Sequence, residues 1–525
     1  MNQLGFPFLS IVLFLPLLGA VSMLLLGSNR TAAKAGALTV TGLDLILVCV
    51  LWGFFDGHQA ELQFVDRLIW IEPLGISYLV GVDGVSLWFL FLTTLLYPIA
   101  VVASWRFLDK LPKADASLFL FFLLLLETGV LGVFTAADLV LFYLFWEAVL
   151  IPAYFLIGRW GGRRRVYAAI KFLLYTMAGS VLMLVALIAL AVLHVQHTGV
   201  WTFDLTALVN LPIPWVAQLW LFLAFALAFA VKSPLWPFHT WLPDAYGESV
   251  APVTILLAGV LSKMGIYGLI RFCLPLFPDA VAAARPWVWL MAIVGILYGS
   301  LVALVQRDMK QLAAYSSLAH MNLILAGVLA ANAQGIQGAL LQSVSHGLTI
   351  AAFFLVVDLL EMRRGTRLIA EYGGLWKNMP RFGGLFLIVI MASIGLPGLS
   401  GFPGEFTLLV GIFQESMASA IFATLGIVLG AWYMLNLFRH TFTGPLERAE
   451  NRAMPDLHRR ELAAVLPVVA LMFVLGIFPN LILKPTQATV HHLLDLAQER
   501  RVVWWDESGR YAWQDQTSSV VFEGE

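Results

Sequence analysis

The sequence has little charge. Of its 525 residues, 60% are hydrophobic and only 12% are Asp, Glu, Lys or Arg, whereas soluble domains carry about 25% charged residues. This composition excludes soluble globular, disordered and collagen-like proteins. The formal net charge of −1 also leaves no basic surface of the kind that binds nucleic acid.

Cysteine is equally scarce, since only Cys49 and Cys273 are present. Two isolated thiols can build neither a zinc site nor an iron–sulfur cluster. The sequence also has no phosphate loop and no G-x-G-x-x-G turn after a strand. We therefore expect no metal and no cofactor in this chain, and the energy that drives it has to come from elsewhere.

Long apolar runs are abundant, and a membrane-spanning helix needs about 20 such residues. We expect no signal peptide, because no Lys or Arg precedes the first run and no small-residue cleavage site follows it. The sequence predicts an all-α polytopic membrane protein with about 14 transmembrane helices. The predicted spans are 8–26, 33–55, 80–104, 116–133, 137–158, 168–195, 216–244, 250–272, 286–305, 312–331, 336–361, 382–415, 417–438 and 462–481.

Basic residues alternate between the two sides of this arrangement. The loops after odd-numbered spans contain 21 Lys and Arg residues, against 3 beside the even-numbered spans. Cytoplasmic loops are enriched in Lys and Arg, so both termini are expected on the non-cytoplasmic side. One missed span would destroy the alternation, which supports the count of fourteen.

Ionisable side chains inside the predicted spans are the first functional signal. A charge at the centre of a membrane costs at least about 2.5–3.5 kcal/mol, and such residues usually face a bundle interior or a water-filled path. The candidates are Glu127, Glu147, Lys171, Lys232, Lys263, His320, His346 and Glu405.

Most of these candidates have a specific structural alternative. Glu147 could form a purely structural ion pair, while Lys171 and Lys232 could extend their ammonium groups to a helix end. Glu127 could be a neutral, hydrogen-bonded core acid. Glu405 could lie in a loop between two shorter helices, and either candidate histidine could be a satisfied core residue.

Taken together, the candidates suit a relay for protons, because acids, lysines and histidines can each take two charge states. An acid about 6 Å from a lysine interacts with it by roughly 3 kcal/mol at an effective dielectric constant near 20. A movement that separates Glu147 from Lys232 would therefore weaken the hold of the lysine on its proton. The sequence alone does not show that these two residues touch.

Two spans are interrupted by proline and glycine. Span seven contains K-S-P-L-W-P-F and span twelve contains G-L-P-G-L-S-G-F-P-G-E-F. Matching interruptions in two halves are typical of repeated transporter folds, and an offset of five spans would place the two units in opposite orientations. We therefore predict two inverted five-helix repeats, spans 4–8 and 9–13, with broken helices 7 and 12. The predicted regions are 1–115 (spans 1–3), 116–272 and 286–440 (the repeats), 441–484 (the last helix) and 485–525 (a polar tail).

Several long motifs resemble one known family. They include GVDGVSLWF (81–89), FYLFWEAVLIPAYFLIGRWGG (142–162), AFAVKSPLWPFHTWLPDA (228–245), ILLAGVLSKMGIYGLIRF (255–272), LAAYSSLAHMNLILAG (312–327), SVSHGL (343–348) and GLPGLSGFPGEF (395–406). The chain is similar in these segments to the antiporter-like subunit M, or chain 4, of respiratory complex I. The match covers roughly residues 75–440, and it implies a fold of fourteen core helices that moves protons for an NADH-quinone oxidoreductase.

The resemblance also implies roles for individual residues. Glu147 and Lys232 would be a modulating pair, Lys263 and His320 a connecting relay, and Glu405 the exit group, with His346 on the same hydrophilic axis. Related L and N subunits, and subunits of Mrp-type cation/proton antiporters, usually have lysine where this chain has Glu405. Subunit M is therefore favoured over these relatives.

One segment departs from the family. Respiratory members usually continue LPDA with H-x-x-A-P-T, whereas this chain reads LPDAYGESVAPVTI, which resembles cyanobacterial-type chains. The usual histidine is Tyr246 here, so a proton role at this position is lost. The electron donor can accordingly be NADH, NADPH or ferredoxin.

The resemblance implies partners and a location. The partners would be other membrane subunits of a complex I-type assembly, including L-type and N-type subunits, together with peripheral redox subunits that carry flavin and iron–sulfur clusters. The expected location is the bacterial inner membrane, with the thylakoid membrane as the alternative. Other hypotheses are a subunit of a Mrp-type cation/proton antiporter, a purely structural membrane subunit and a solute carrier. The polar tail predicts a surface strand or hairpin, or an anchor of three tryptophans at the membrane interface.

Overall fold

Apolar helices make up most of the chain, which is an all-α polytopic membrane protein. A computed structural model describes residues 5–27, 29–499, 503–505 and 511–513. Among these residues, twelve helices are long and apolar enough to cross a membrane, and counting the bent pair Glu461–Ile477 and Asn480–Glu499 as one span makes thirteen.

The helices have the following bounds. They are α1 Phe8–Leu25, α2 Arg30–Phe54, α3 Ser86–Lys110, α4 Lys113–Thr135, α5 Leu139–Ala148, α6 Leu150–Trp160, α7 Arg165–Thr198, α8 Leu205–Leu208, α9 Trp215–Lys232, α10 Trp241–Glu248, α11 Ala251–Leu256, α12 Lys263–Gly268, α13 Leu274–Leu276, α14 Pro278–Leu304, α15 Met309–Leu329, α16 Ala333–Arg364, α17 Pro380–Ser393, α18 Gly401–Glu415, α19 Met417–Phe442, α20 Ala449–Arg452, α21 Arg459–Ile477 and α22 Asn480–Glu499. Two π-helical segments, Leu257–Leu261 and Leu269–Cys273, join α11, α12 and α13 into one long span.

Both interruptions predicted from proline and glycine are present. Helix α9 ends at Lys232, and α10 begins only at Trp241. Helix α17 ends at Ser393, and α18 begins at Gly401. Proline lacks the amide hydrogen that a continuous helix requires, so each span divides into two shorter helices that meet inside the bundle.

A β-hairpin precedes the third span and was not predicted. Strand β1 (Gln63–Ile71) pairs antiparallel with β2 (Ile76–Val82), and a 3-10 turn at Glu72–Leu74 connects them. The predicted third span began at residue 80, but the helix begins at Ser86. The apolar run continues through the strand into the helix, so hydropathy alone could not separate them.

The C-terminal region also contains more structure than the sequence indicated. Helix α22 bends by 65° from the last span and extends past residue 485, where the polar tail was expected to begin. In the tail itself, Val503–Trp505 pairs antiparallel with Tyr511–Trp513, in agreement with the predicted hairpin. Residues 500–502, 506–510 and 514–525 lie outside the described residues, as do residues 1–4 and 28.

Three basic residues that were counted in loops or at span edges are buried, namely Lys34, Arg271 and Lys310. Arg271 lies in the second π-helical segment, where its guanidinium forms an ion pair with Asp83 at 2.6 Å. Lys310 is 4% exposed and donates to the carbonyl of Ser249 at 2.9 Å. The side chains of Arg271 and Lys310 each have a specific partner inside the fold. A hydropathy average cannot detect such pairings.

Candidate functional site

The first break leaves a buried lysine at a helix end. Lys232 is the last residue of α9 and is 1% exposed. Within the described structure its Nζ has no hydrogen-bond partner. The ring centroids of Trp146 and Phe172 lie 5.4 and 5.5 Å from Nζ, so the ammonium is held against aromatic faces.

Glu147 lies near Lys232 but does not pair with it directly. It is the penultimate residue of α5, and the chain continues almost at once into α6. The carboxylate acts electrostatically on Lys232, yet no ion pair within 4.0 Å joins these two described residues. Trp146, its neighbour in sequence, lies beside the ammonium instead.

Lys263 occupies a helix with unusual backbone geometry. It begins α12, between the two π-helical segments, and it is 0% exposed. Its Nζ donates to the carbonyl of Ala258 at 2.6 Å and to Ser262 Oγ at 3.3 Å, and it lies 2.8 Å from His346 Nδ1. A π turn displaces backbone carbonyls from the regular α-helical pattern and often marks a functional position, as the bond from Lys263 to Ala258 illustrates.

The two candidate histidines stack on each other between Lys263 and the second break. The rings of His346 and His320 have centroids 5.3 Å apart and an interplanar angle of 30°. His346 Nδ1 faces the ammonium and can only accept its hydrogen bond. Its Nε2 is buried and has no partner among the described residues.

His320 faces acceptors on both ring nitrogens. Its Nδ1 lies 2.8 Å from the carbonyl of Ser316, and its Nε2 lies 3.2 Å from the carbonyl of Ser393. The same Nε2 is 3.6 Å from Glu405 Oε1. Carbonyl and carboxylate oxygens only accept hydrogen bonds, so this environment suits an imidazolium with both nitrogens protonated.

Glu405 lies in the second broken helix, in the second turn of α18, and is 5% exposed. Gln342 Nε2 donates to its Oε1 at 3.1 Å. Gly395, in the break, has φ +70°, and a Cβ placed there would lie 2.4 Å from Glu405 Oε2. A small pocket adjoins the carboxylate and is lined by His320, Ser393 and Tyr433 among others.

Four of the six principal candidates therefore form a contiguous chain of ionisable groups. The order is Lys263, His346, His320 and Glu405, and it runs from the π-helical span to the second break. We call this set the second-half chain. Glu147 and Lys232 lie near each other at the first break, without direct hydrogen bonds to the second-half chain among the described contacts.

The remaining two candidates lie elsewhere. Lys171, on α7, forms an ion pair with Asp244 of α10 at 2.7 Å. Glu127, on α4, has no hydrogen-bond partner for either carboxylate oxygen among the described residues. Among the described residues, neither has a hydrogen bond or ion pair with the second-half chain.

Comparison with known proteins identifies the family. The family described as "NADH:quinone oxidoreductase/Mrp antiporter, TM" matches residues 136–430. The family described as "NADH-ubiquinone oxidoreductase chain 4, amino terminus" matches residues 59–131. The chain belongs to the NADH:quinone oxidoreductase/Mrp antiporter family. The matched region contains all six principal candidate residues.

Relatives in this family are similar over nearly the whole chain. NADH-quinone oxidoreductase subunit M of Rhodobacter capsulatus is 43% identical over 504 residues, which cover 93% of this chain and 96% of the relative. Subunit M of Mycobacterium tuberculosis H37Rv is 39% identical over 524 residues and covers 93% of this chain and 94% of the relative. These relatives confirm the resemblance to subunit M that the motifs indicated.

Two solved structures of the family share the fold. A chain of respiratory complex I from Thermus thermophilus superposes with a TM-score of 0.84 at 31% identity, over 93% of this chain and 99% of that chain. A chain of the Mrp complex from Dietzia sp. DQ12-45-1b superposes with a TM-score of 0.78 at 21% identity, over 94% and 98%. The second likeness concerns the fold alone.

Sequence reasoning missed several polar residues of the site. Gln342 contacts Glu405, and Tyr433 donates to Ser316 Oγ at 2.9 Å, beside His320. Gln342 precedes His346 by four residues on one helix face, and this spacing could have identified it. No group of three or more His, Cys, Asp or Glu residues able to hold a metal occurs among the described residues.

Proposed function

We propose that this chain is a proton-translocating membrane subunit of a complex I-type NAD(P)H or ferredoxin:quinone oxidoreductase. The observation that carries the proposal is the second-half chain. Lys263, His346, His320 and Glu405 are each at most 13% exposed at the side chain, and successive members contact or stack on one another. Each member can bind and release a proton, so the chain suits proton transfer from the π-helical span to the second break.

In this proposal each ionisable group has its own role in proton transfer. Glu147 and Lys232 form the modulating pair, because the carboxylate acts on a lysine that has no hydrogen-bond partner of its own. Lys263, His346 and His320 pass the proton on, and Glu405 releases it. The pocket beside Glu405 supplies room for water at the end of the route.

We further propose fourteen spans with inverted repeats. The broken pair α17 and α18 adds one span to the thirteen helices that pass on length and composition. Spans five and ten, which are equivalent under an offset of five, both begin with an Asp cap that accepts two backbone N–H groups, Asp138 and Asp308. Each cap also forms a β-bridge with the loop before a broken helix, to Asp204 and Leu368.

The regional division follows from these repeats. Residues 1–115 contain the first helices, and 116–272 and 286–440 form the two repeats. Residues 441–484 contain the last span, and 485–525 form the tail. In this proposal both termini lie on the non-cytoplasmic side of a bacterial inner membrane, and the distribution of Lys and Arg among the loops supports this orientation.

The proposed subunit needs partners that carry the redox chemistry. Flavin and iron–sulfur clusters belong to peripheral subunits of the assembly. The neighbours in the membrane are other antiporter-like subunits of the L and N types. The likeness in fold to the Mrp complex favours one alternative, a subunit of a cation/proton antiporter that needs no electron donor. The glutamate at position 405, where such subunits usually have lysine, argues against that alternative.

Purification from the native membrane separates the two functions. The chain would be isolated in mild detergent, its partners identified by mass spectrometry, and electron transfer to quinone assayed. Flavin and iron–sulfur subunits in the preparation, with quinone reduction, are the expected result. A preparation that contains only small hydrophobic subunits and has no redox activity would favour the antiporter.

A further inference from the structure

A second group of buried ionisable side chains lies in the first helices, outside the second-half chain. It consists of Asp44 on α2, Tyr97 on α3 and Glu127 on α4, and all three residues are 0% exposed. We call this group the N-terminal cluster. No step of the proposed proton route uses it.

The polar atoms of the N-terminal cluster lack protein partners. Among the described residues, both oxygens of Asp44, both oxygens of Glu127 and the hydroxyl of Tyr97 form no hydrogen bond. Glu127 interacts electrostatically with both Asp44 and Tyr97, so the three helices bring five unsatisfied oxygen atoms to one region. Buried polar atoms without partners are rare, and they commonly indicate a ligand, a proton or ordered water at the site.

No basic side chain of the same three helices reaches the N-terminal cluster. Lys34 precedes Asp44 by ten residues, Arg106 follows Tyr97 by nine, and Lys113 precedes Glu127 by fourteen. These separations correspond to roughly 14–21 Å along a helix. Lys34 is moreover engaged by Asp109.

Two neighbouring elements, α1 and α12, also supply no free cation among the described residues. Helix α1, which packs against α2 and α4, contains no ionisable residue. Lys263, on the segment α12 that also touches α4, is hydrogen-bonded to Ala258 and lies against His346. Two bare carboxylates would therefore lie buried near each other without a cation on these helices, which desolvation and mutual repulsion strongly disfavour.

We propose that the N-terminal cluster is a proton-binding site in which Asp44 and Glu127 each hold a proton. The two carboxyl groups form no hydrogen bond with each other, so each needs its own proton to become neutral. The site is separate from the relay, because no hydrogen bond or ion pair joins its three members to the second-half chain among the described residues.

Infrared spectroscopy of the assembled complex tests this proposal, since a protonated carboxyl has a C=O stretching band that a carboxylate lacks. The probes are the single variants Asp44→Asn and Glu127→Gln, which imitate the protonated groups, and the double variant. The matched control is Glu61→Gln, an exposed glutamate in a loop. We expect each single variant to lose part of the band, the double variant to lose both parts, and the control to lose nothing.

Two results would overturn the proposal. One is a double variant with an unchanged protonated-carboxyl band. The other is a wild-type band that disappears when Na⁺ is added, because the acids would then form a cation site. If the variants fail to assemble, the wild-type complex can be treated with dicyclohexylcarbodiimide, which attacks protonated carboxyl groups in apolar surroundings. An adduct on Asp44 or Glu127 by peptide mass spectrometry is expected, and adducts on neither acid would refute the proposal.

Discussion

Lys232 and Lys263 are both buried lysines, but their surroundings differ. Lys263 has two hydrogen-bond acceptors and a histidine beside it, whereas Lys232 has aromatic rings and a carboxylate that acts from beyond 4.0 Å. A buried ammonium without a hydrogen bond retains several kcal/mol of desolvation penalty. The proton on Lys232 therefore depends more strongly on the charge of Glu147, as a modulated group requires.

Removing the charge of Glu147 tests this dependence. Glu147→Gln keeps the shape of the side chain, so we expect normal assembly but proton pumping of about a tenth of wild type or less, because the stabilisation of the ammonium is lost. Glu147→Asp is the matched control, because it keeps the negative charge and should restore a large part of the pumping. The measurement is proton uptake into vesicles that carry the assembled complex during quinone reduction. Full proton pumping by Glu147→Gln would show that Glu147 has no role in the mechanism.

At the scale of elements, the two broken helices bring charge into the bundle. Each break ends one helix beside an ionisable group, Lys232 in the first and Glu405 in the second. Irregular backbone is tolerated at membrane depth only where protein or water covers it. The second break also requires glycine where the chain approaches the carboxylate.

Gly395 and Gly398 form a matched pair of glycines for testing the close contact between the backbone of the break and Glu405. Both have positive φ, +70° and +91°, but only at Gly395 would a Cβ meet Glu405, whereas nothing lies within 4 Å at Gly398. Either substitution by alanine costs about 1–2 kcal/mol of backbone strain. We expect Gly395→Ala alone to displace Glu405 and to reduce pumping in vesicles, and equal pumping by the two assembled variants would contradict this role.

The ion pair between Asp83 and Arg271 joins two other elements, the turn before α3 and the π-helical span. Both side chains are at most 9% exposed, so Asp83→Asn leaves a buried guanidinium unpaired. We expect a loss of about 3–5 kcal/mol in stability, seen as a lower melting temperature or failed assembly on native gels. Asp115→Asn breaks the more exposed pair with Arg159 and should cost less than about 1 kcal/mol. Equal stability of the two variants would show that the buried pair is not structural.

The whole molecule combines features that the sequence predicts well with others that it cannot. Proline and glycine in the sequence indicated both broken helices, and the positions of Lys263 and Glu405 inside apolar spans indicated that these two residues are functional candidates. Both signals are local in the sequence. The hairpin before α3 was missed because its second strand runs directly into an apolar span. The helix α22 was missed because its polar residues were assigned to the tail. The stacking of His320 on His346 could not be predicted either, because it depends on how α15 packs against α16.

At the same scale, the central claim is that protons cross the membrane through the second-half chain. Lys263→Ala removes the ammonium from His346 and interrupts that chain at its first member. The decisive measurement is the number of protons pumped per quinone reduced, in vesicles that contain the assembled complex with wild-type or substituted chain. The account predicts a clearly lower ratio for Lys263→Ala in a complex that still assembles and reduces quinone. A ratio equal to that of wild type would contradict it.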